Sequence, residues 1–206
     1  MVYKIDISSP HYPYLLKNIF DPPKVLYVNG ELPKGKYFAV VGTRKMTTYG
    51  QEITSKLTKD LVKAGFVIIS GMALGIDGVA HKTAIEAGGK TVAVLGAGVE
   101  LVYPPQHQDL YNSIVTHGAV LSEFPGRQVV ERRIFPSRNR IISGLCEGIL
   151  VIEGEIKSGS LVTARVALEQ GREVFAVPGS PGTNYLIDQG AKPVKDVSDI
   201  LSELIL

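Results

Sequence analysis

The stretch Ile134-Phe135-Pro136-Ser137-Arg138-Asn139-Arg140-Ile141-Ile142 combines an aromatic ring, two guanidinium groups and a proline break. Proline resists a helix interior and suits a first turn, so a helix is expected to begin near Ser137. On such a helix Arg138 and Ile142 lie near one another and Arg140 faces a different side. Guanidinium groups at a helix start suit a bound anion, because the free backbone N–H groups there add positive potential. Arg127, Arg132 and Arg133 lie just upstream with only Glu131 among them, so five of the eight arginines fall between positions 127 and 140. A basic run alone is usually a solvated face. Phe135 changes the reading, since cations that follow phosphate and a ring that stacks on a base together suit a single-stranded nucleic acid.

The elements that must position these residues follow a regular pattern from Tyr37 onward. Continuous apolar runs at 37–41, 66–69, 91–95, 119–121, 148–152 and 174–177 predict strands buried on both faces. Between them helices are expected at about 48–64, 79–87, 106–117 and 160–170, with short ones near 184–189 and from Val197. Thr48 and Gln51 have the spacing of a capping box at the first of these. Strand–helix alternation predicts an α/β fold, an extended Rossmann-like and mostly parallel sheet with helices on both faces. Residues 1–36, with five prolines and a short extended piece at Val25–Val28, are expected to form an arm against the main domain at 37–206. Right-handed crossovers gather the loops after the strands on one rim, where sheets of this kind bind ligands.

Composition narrows the classes. With 45% hydrophobic and 20% charged residues the chain is an ordinary globular protein, and a net charge of +2 requires any polyanion affinity to be local. Cys146 is the only cysteine, which leaves no internal disulfide and fits a reducing, cytoplasmic setting. No apolar run reaches membrane-spanning length, and the four histidines lack metal-ligand spacing. No cofactor, metal or membrane partner is expected.

The rim itself is rich in glycine and hydroxyl groups. Gly42-Thr43-Arg44 follows the first buried strand, and Arg44 has no acidic neighbour in sequence. Ser70, Gly71 and Gly75 have the spacing of a backbone nest for an anion, without the signature of a dinucleotide or Walker loop. Ser158, Gly159 and Ser160 open a helix, where Ser160 serves as a cap, as part of a phosphate seat, or as both, and Lys157 adds charge. Asp77 and His81 are one helical turn apart and can meet as an acid/base pair or as a structural pair. The apolar end at 200–206 either docks on the body or enters a homodimer contact.

These pieces together resemble the DNA-processing protein A family (DprA/Smf). The resemblance rests on Val41-Gly42-Thr43-Arg44, Ser70 through Asp77 with Ala80-His81, Tyr103-Pro104, Ser122-Glu123, Phe135 through Ile142, Ser158-Gly159-Ser160 with Thr163-Ala164, and Pro178-Gly179. It implies a Rossmann-like domain that binds single-stranded DNA, usually dimerises, and assists loading of RecA recombinase in natural transformation. By the same resemblance the DNA contacts are Arg44, Phe135, Arg138 and Arg140. The arginine run and the loop before the 160–170 helix add Arg133 and Lys157 as expected DNA-binding cations. Arg44→Ala and Arg138→Ala are expected to weaken DNA binding with little change in melting temperature. The alternative is a nucleotide-binding or nucleotide-hydrolysing enzyme related to the phosphoribohydrolases. Their Pro-Gly-Gly-x-Gly-Thr-x-x-Glu motif is echoed at Pro178 to Thr183, but Leu186 stands where the carboxylate belongs. The reading favoured here is non-enzymatic.

Overall fold

The computed structural model describes residues 1–129 and 137–204. The first part of the chain forms β1 (Val2–Asp6), α1 (Tyr14–Lys17), β2 (Val25–Gly30), β3 (Tyr37–Val41), α2 (Thr48–Lys63) and β4 (Val67–Ser70). Next come α3 (Ile76–Glu86), β5 (Thr91–Leu95), a 3-10 turn at Pro105–His107, α4 (Gln108–His117) and β6 (Gly118–Ser122). The remainder forms α5 (Asn139–Leu145), β7 (Gly148–Val151), α6 (Gly159–Glu169), β8 (Glu173–Ala176), α7 (Pro181–Asp188), β9 (Lys192–Pro193) and α8 (Val197–Leu201).

All strands join one sheet in the order β1-β2-β6-β5-β4-β3-β7-β8-β9. Pairings from β6 through β9 are parallel, whereas β1 with β2 and β2 with β6 are antiparallel. Residues 1–36 therefore supply two strands of this sheet, with Val28 opposite Leu121. From β3 the chain winds outward through β4, β5 and β6, then returns to the other side of β3 for β7, β8 and β9. The gap between the ends of β3 and β7 is thus the point of reversal where such sheets hold ligands.

Period-two alternation along the strands divides the core. Ala39 and Val41 of β3 join a cluster with Leu16 of α1, Ile141, Ile142 and Leu145 of α5, and Leu161 and Ala164 of α6. Phe38 and Val40 point the other way, into a cluster with Leu57 and Leu61 of α2, Ile76 and Ala80 of α3, and Ile200 of α8. A third cluster sets Tyr111 and Ile114 of α4 against Ala93 and Val120. Within the apolar C-terminal stretch, Ile200 and Leu204 are buried against the body.

Sequence and structure part over the start of α2. Its cap is Thr47, one residue before the expected Thr48, and the Thr47 hydroxyl accepts the Gly50 N–H at 3.0 Å. The same hydroxyl donates to the Glu153 carboxylate at 2.5 Å, and the Thr47 N–H donates to that carboxylate at 3.0 Å. A partner on the far side of the reversal point selects the cap, and local spacing carries no trace of it.

Candidate nucleic-acid interface

The reversal point is a cleft of about 480 Å³ between the β3–α2 loop and the start of α6. Gly42, Thr43, Arg44 and Lys45 form one wall, Ser158, Gly159, Ser160 and Thr163 the other, and Asp77, Arg138 and Asn139 close the remaining side. Gly42 is required by close approach, because a Cβ there would lie 2.6 Å from the Ile76 side chain. Gly75 combines φ +80° with a similar constraint, since a Cβ would fall 2.3 Å from the Thr43 carbonyl oxygen. The two glycines bring the Ser70–Ile76 loop against the β3–α2 loop, and the Ile76 N–H donates to the Thr43 carbonyl at 3.2 Å. Arg44 and Lys45 are left exposed on the rim.

Arg138 is part of the framework beneath that rim. Its Nη1 donates to the Gly71 carbonyl at 2.9 Å and to the Val94 carbonyl, joining the ends of β4 and β5, and its Nε donates to Asn139 Oδ1 at 3.2 Å. A Cβ on Gly71 would lie 2.6 Å from this guanidinium, so Gly71 is the space Arg138 fills. Burial lowers the guanidinium pKa; the Asp77 charge opposes that shift and Arg44 adds to it. Arg44 and Arg138 are therefore close enough to reinforce each other's positive field in the cleft. The expectation that Arg138→Ala leaves stability unchanged does not suit a group bonded to two strand-end carbonyls.

The nest expected at Ser70 and Gly71 already holds an anion from within the chain. The Gly71 and Ala73 N–H groups donate to Asp77 Oδ2 at 3.2 and 3.3 Å, and the Ser70 hydroxyl donates to the Val40 carbonyl at 2.6 Å. Burial pushes the Asp77 carboxyl above its usual range, while Arg138 and the Ala73 amide pull it back. Met72, at φ +56°, occupies the left-handed region and is held by His107, whose Nδ1 donates to its carbonyl at 2.9 Å. This loop thus shapes the cleft from below, while Thr43 and the Ser158–Ser160 turn line its two walls. Ser158 is the N-cap of α6 but makes no side-chain cap; its hydroxyl instead meets that of Ser160 at 2.8 Å. Gly159 is exposed there, and Lys157 lies exposed beside it.

Asp77 and His81 do not form the pair their spacing allows. The Thr91 hydroxyl donates to the Ile68 carbonyl at 2.9 Å and so accepts the His81 Nδ1–H at 2.7 Å. His81 Nε2 is buried without a partner among the described residues. Burial, with help from the charges of His107 and Arg138, lowers the His81 pKa to about 3 and keeps the ring neutral. Leu186, in the position of the hydrolase carboxylate, is buried in the core.

Arg140 leaves the cleft, as its helical phase predicts. Its Nη2 grips both oxygens of Glu123 at 2.9 and 3.0 Å, and its Nε bonds Asp21 Oδ2 at 3.1 Å and the Asp21 carbonyl at 2.9 Å. The opposing charges come from Asp21 and Glu123, outside the run from 127 to 140 in which Glu131 is the only acidic residue. Arg140 therefore works as a clamp joining the N-terminal segment, β6 and α5. Arg133 and Phe135 lie outside the described residues. Sequence reasoning passed over Lys45, and placed Glu153 only as the start of the rim loop that runs to Ser160. Lys45 adjoins Arg44 and was findable, whereas the role of Glu153 depends on a loop far away in sequence.

A doubly wound sheet with a cationic cleft at its reversal point defines a Rossmann-like protein suited to anionic ligands. The chain belongs to the DNA recombination-mediator protein A family, whose model matches residues 4–205. The DNA processing protein DprA of Bacillus subtilis is 47% identical over 209 residues, covering 97% of this chain and 70% of that protein. Protein Smf of Escherichia coli is 46% identical over 209 residues, covering 97% of this chain and 56% of its own length. The solved structure of DNA processing protein A from Streptococcus pneumoniae superposes with a TM-score of 0.91 at 40% identity, covering 99% of this chain and 75% of that one. That of Helicobacter pylori, described for its single-stranded DNA binding mode, gives a TM-score of 0.87 at 28% identity, covering 98% and 94%. Molybdenum cofactor carrier proteins share the fold at lower similarity, with a TM-score of 0.58 and 18% identity for that of Chlamydomonas reinhardtii over 82% of this chain and 95% of that one.

Proposed function

We propose that this chain binds single-stranded DNA along the carboxyl-end rim of its sheet and presents the strand to RecA recombinase. The observation that carries the reading is the cleft where Arg44, Lys45 and the Arg138 guanidinium face the start of α6. Arg44 and Lys45, exposed, contact phosphate; Thr43 and the Ser158–Ser160 turn supply neutral donors; Arg138 adds field from beneath. Phe135 stacks on a base, and Arg133 and Lys157 extend the cationic path. The Helicobacter pylori relative, known for its single-stranded DNA binding mode, and the recombination-mediator description of the family support this assignment. The role is binding without turnover: Leu186 replaces the hydrolase carboxylate, while Asp77 and His81 are engaged in holding loops and strands. The working form is a homodimer in the cytoplasm.

Fluorescent oligo-dT titrated across a salt series tests this. Affinity is expected to fall steeply with salt and to exceed that for duplex of equal length. Arg44→Ala is expected to flatten the log–log slope by roughly 0.7, the value for one fewer phosphate neutralised on a single strand. Equal affinity for duplex, or a slope near zero, would overturn the reading.

A further inference from the structure

We propose that a second groove, at the pole of the sheet opposite the cleft, holds another segment of the same single strand. The groove encloses about 630 Å³ where β3 begins, between the N-terminal segment and the loop before β3. Tyr3, Tyr14 and Tyr37 line it together with Lys4, Lys34 and Lys36. Tyr14 is 78% exposed and Tyr3 40%, both high for side chains with large apolar faces. Two phenol groups are anchored: Tyr3 Oη accepts the Leu32 N–H at 3.4 Å, and Tyr37 Oη donates to the Pro33 carbonyl. Their rings are thereby held at the groove while the hydroxyls are engaged elsewhere. The three lysines are exposed and form no ion pair among the described residues. Glu147 is the one carboxylate among the lining residues, so the balance is cationic.

Aromatic rings beside exposed ammonium groups form the kind of surface on which unpaired bases stack while phosphates are tracked without sequence preference. The proposal takes its ligand from the single-stranded DNA reading and adds a second point of attachment to it. β3 has five residues, so at about 3.3 Å each the two openings are separated by roughly 16 Å of strand plus their loops. A short oligonucleotide fills one opening only. A longer one reaches both, and the second attachment becomes intramolecular.

The test compares the parent with a triple variant, Lys4→Glu, Lys34→Glu and Lys36→Glu, and separately with Tyr14→Ala. Oligo-dT is used in two lengths, one able to occupy a single groove and one able to span both. The expected result is unchanged affinity for the short oligomer and a loss on the order of tenfold or more for the long one. The salt slope for the long oligomer is expected to flatten by about 2, roughly 0.7 for each of three phosphates. Because these side chains are exposed, melting temperatures should match the parent. Long-oligomer affinity and slope equal to the parent's would overturn the proposal. So would an unchanged long-oligomer affinity accompanied by lost binding of a glutamate-rich peptide, which would make the groove a protein-docking site. If the parent bound neither oligomer, the cleft reading itself would fail, a result distinct from a parent that binds both and a variant that does likewise.

Discussion

At the scale of single residues, two arginines in one cleft have separable jobs. Arg44 is exposed, so its replacement by alanine should lower DNA affinity and leave the melting temperature unchanged. Arg138→Ala removes the donor to the Gly71 and Val94 carbonyls and should destabilise the fold, by about 1–3 kcal/mol for each carbonyl left unpaired and buried. Thermal melts of both variants beside their oligo-dT affinities would separate the roles; equal melting temperatures would refute the framework role of Arg138. His81 gives a second prediction, in pH. Its folded pKa of about 3 lies below the unfolded value near 6.5, so between them the unfolded chain binds more protons. The stability it contributes is complete above about pH 6.5 and is lost as pH falls toward 3. Denaturant melts between about pH 5 and 6.5, above most carboxylate titrations, should show stability declining on acidification. His81→Asn should start less stable and decline less steeply; parallel slopes would count against the assignment.

At the scale of elements, the loops around the reversal point are joined by bonds between distant parts of the chain. Glu153, just past β7, caps the region before α2 through Thr47, and its carbonyl accepts the Thr43 N–H at 2.8 Å. Thr47→Ala removes the cap and one of these bonds together, for an expected cost of about 1–2 kcal/mol in a denaturant melt. A change below a few tenths would mean that water replaces the cap. The strands of the parallel core were legible because burial on both faces writes continuous apolar runs, and β3 and β5 match their predicted bounds. β1 was missed because, as an edge strand of mixed exposure, it carries no such run, and β9 because two residues show no period. In the cleft, Gly42 to Arg44 and Ser158 to Ser160 were readable as loops following strands. The internal use of the Ser70–Gly71 nest was not, since a filled nest and an open one have the same glycine spacing.

At the scale of the molecule, Arg140 joins three regions that the sheet alone would hold less firmly. Its side chain is 16% exposed and meets Glu123 and Asp21 together. Arg140→Ala should therefore cost more than an exposed ion pair, about 1–3 kcal/mol, and should speed proteolytic cleavage around Asp21 ahead of global unfolding. Cleavage there at the parent's rate would show that the sheet pairing of β2 is sufficient. Ile142, which lines the cleft as well as the core, should keep its place after this change, because it belongs to the core cluster and not to the clamp.

The pairing of β2 with β6 also bears on the order in which a nascent chain can mature. β2 is finished at Gly30, yet the strand that covers its inner edge begins only at Gly118. During synthesis the β1–β2 pair is made before its partner and must wait, one hydrogen-bonding edge open, while the intervening helices and strands are made. An unpaired strand edge is open to mispairing during that interval, which closes once β6 has been translated and paired.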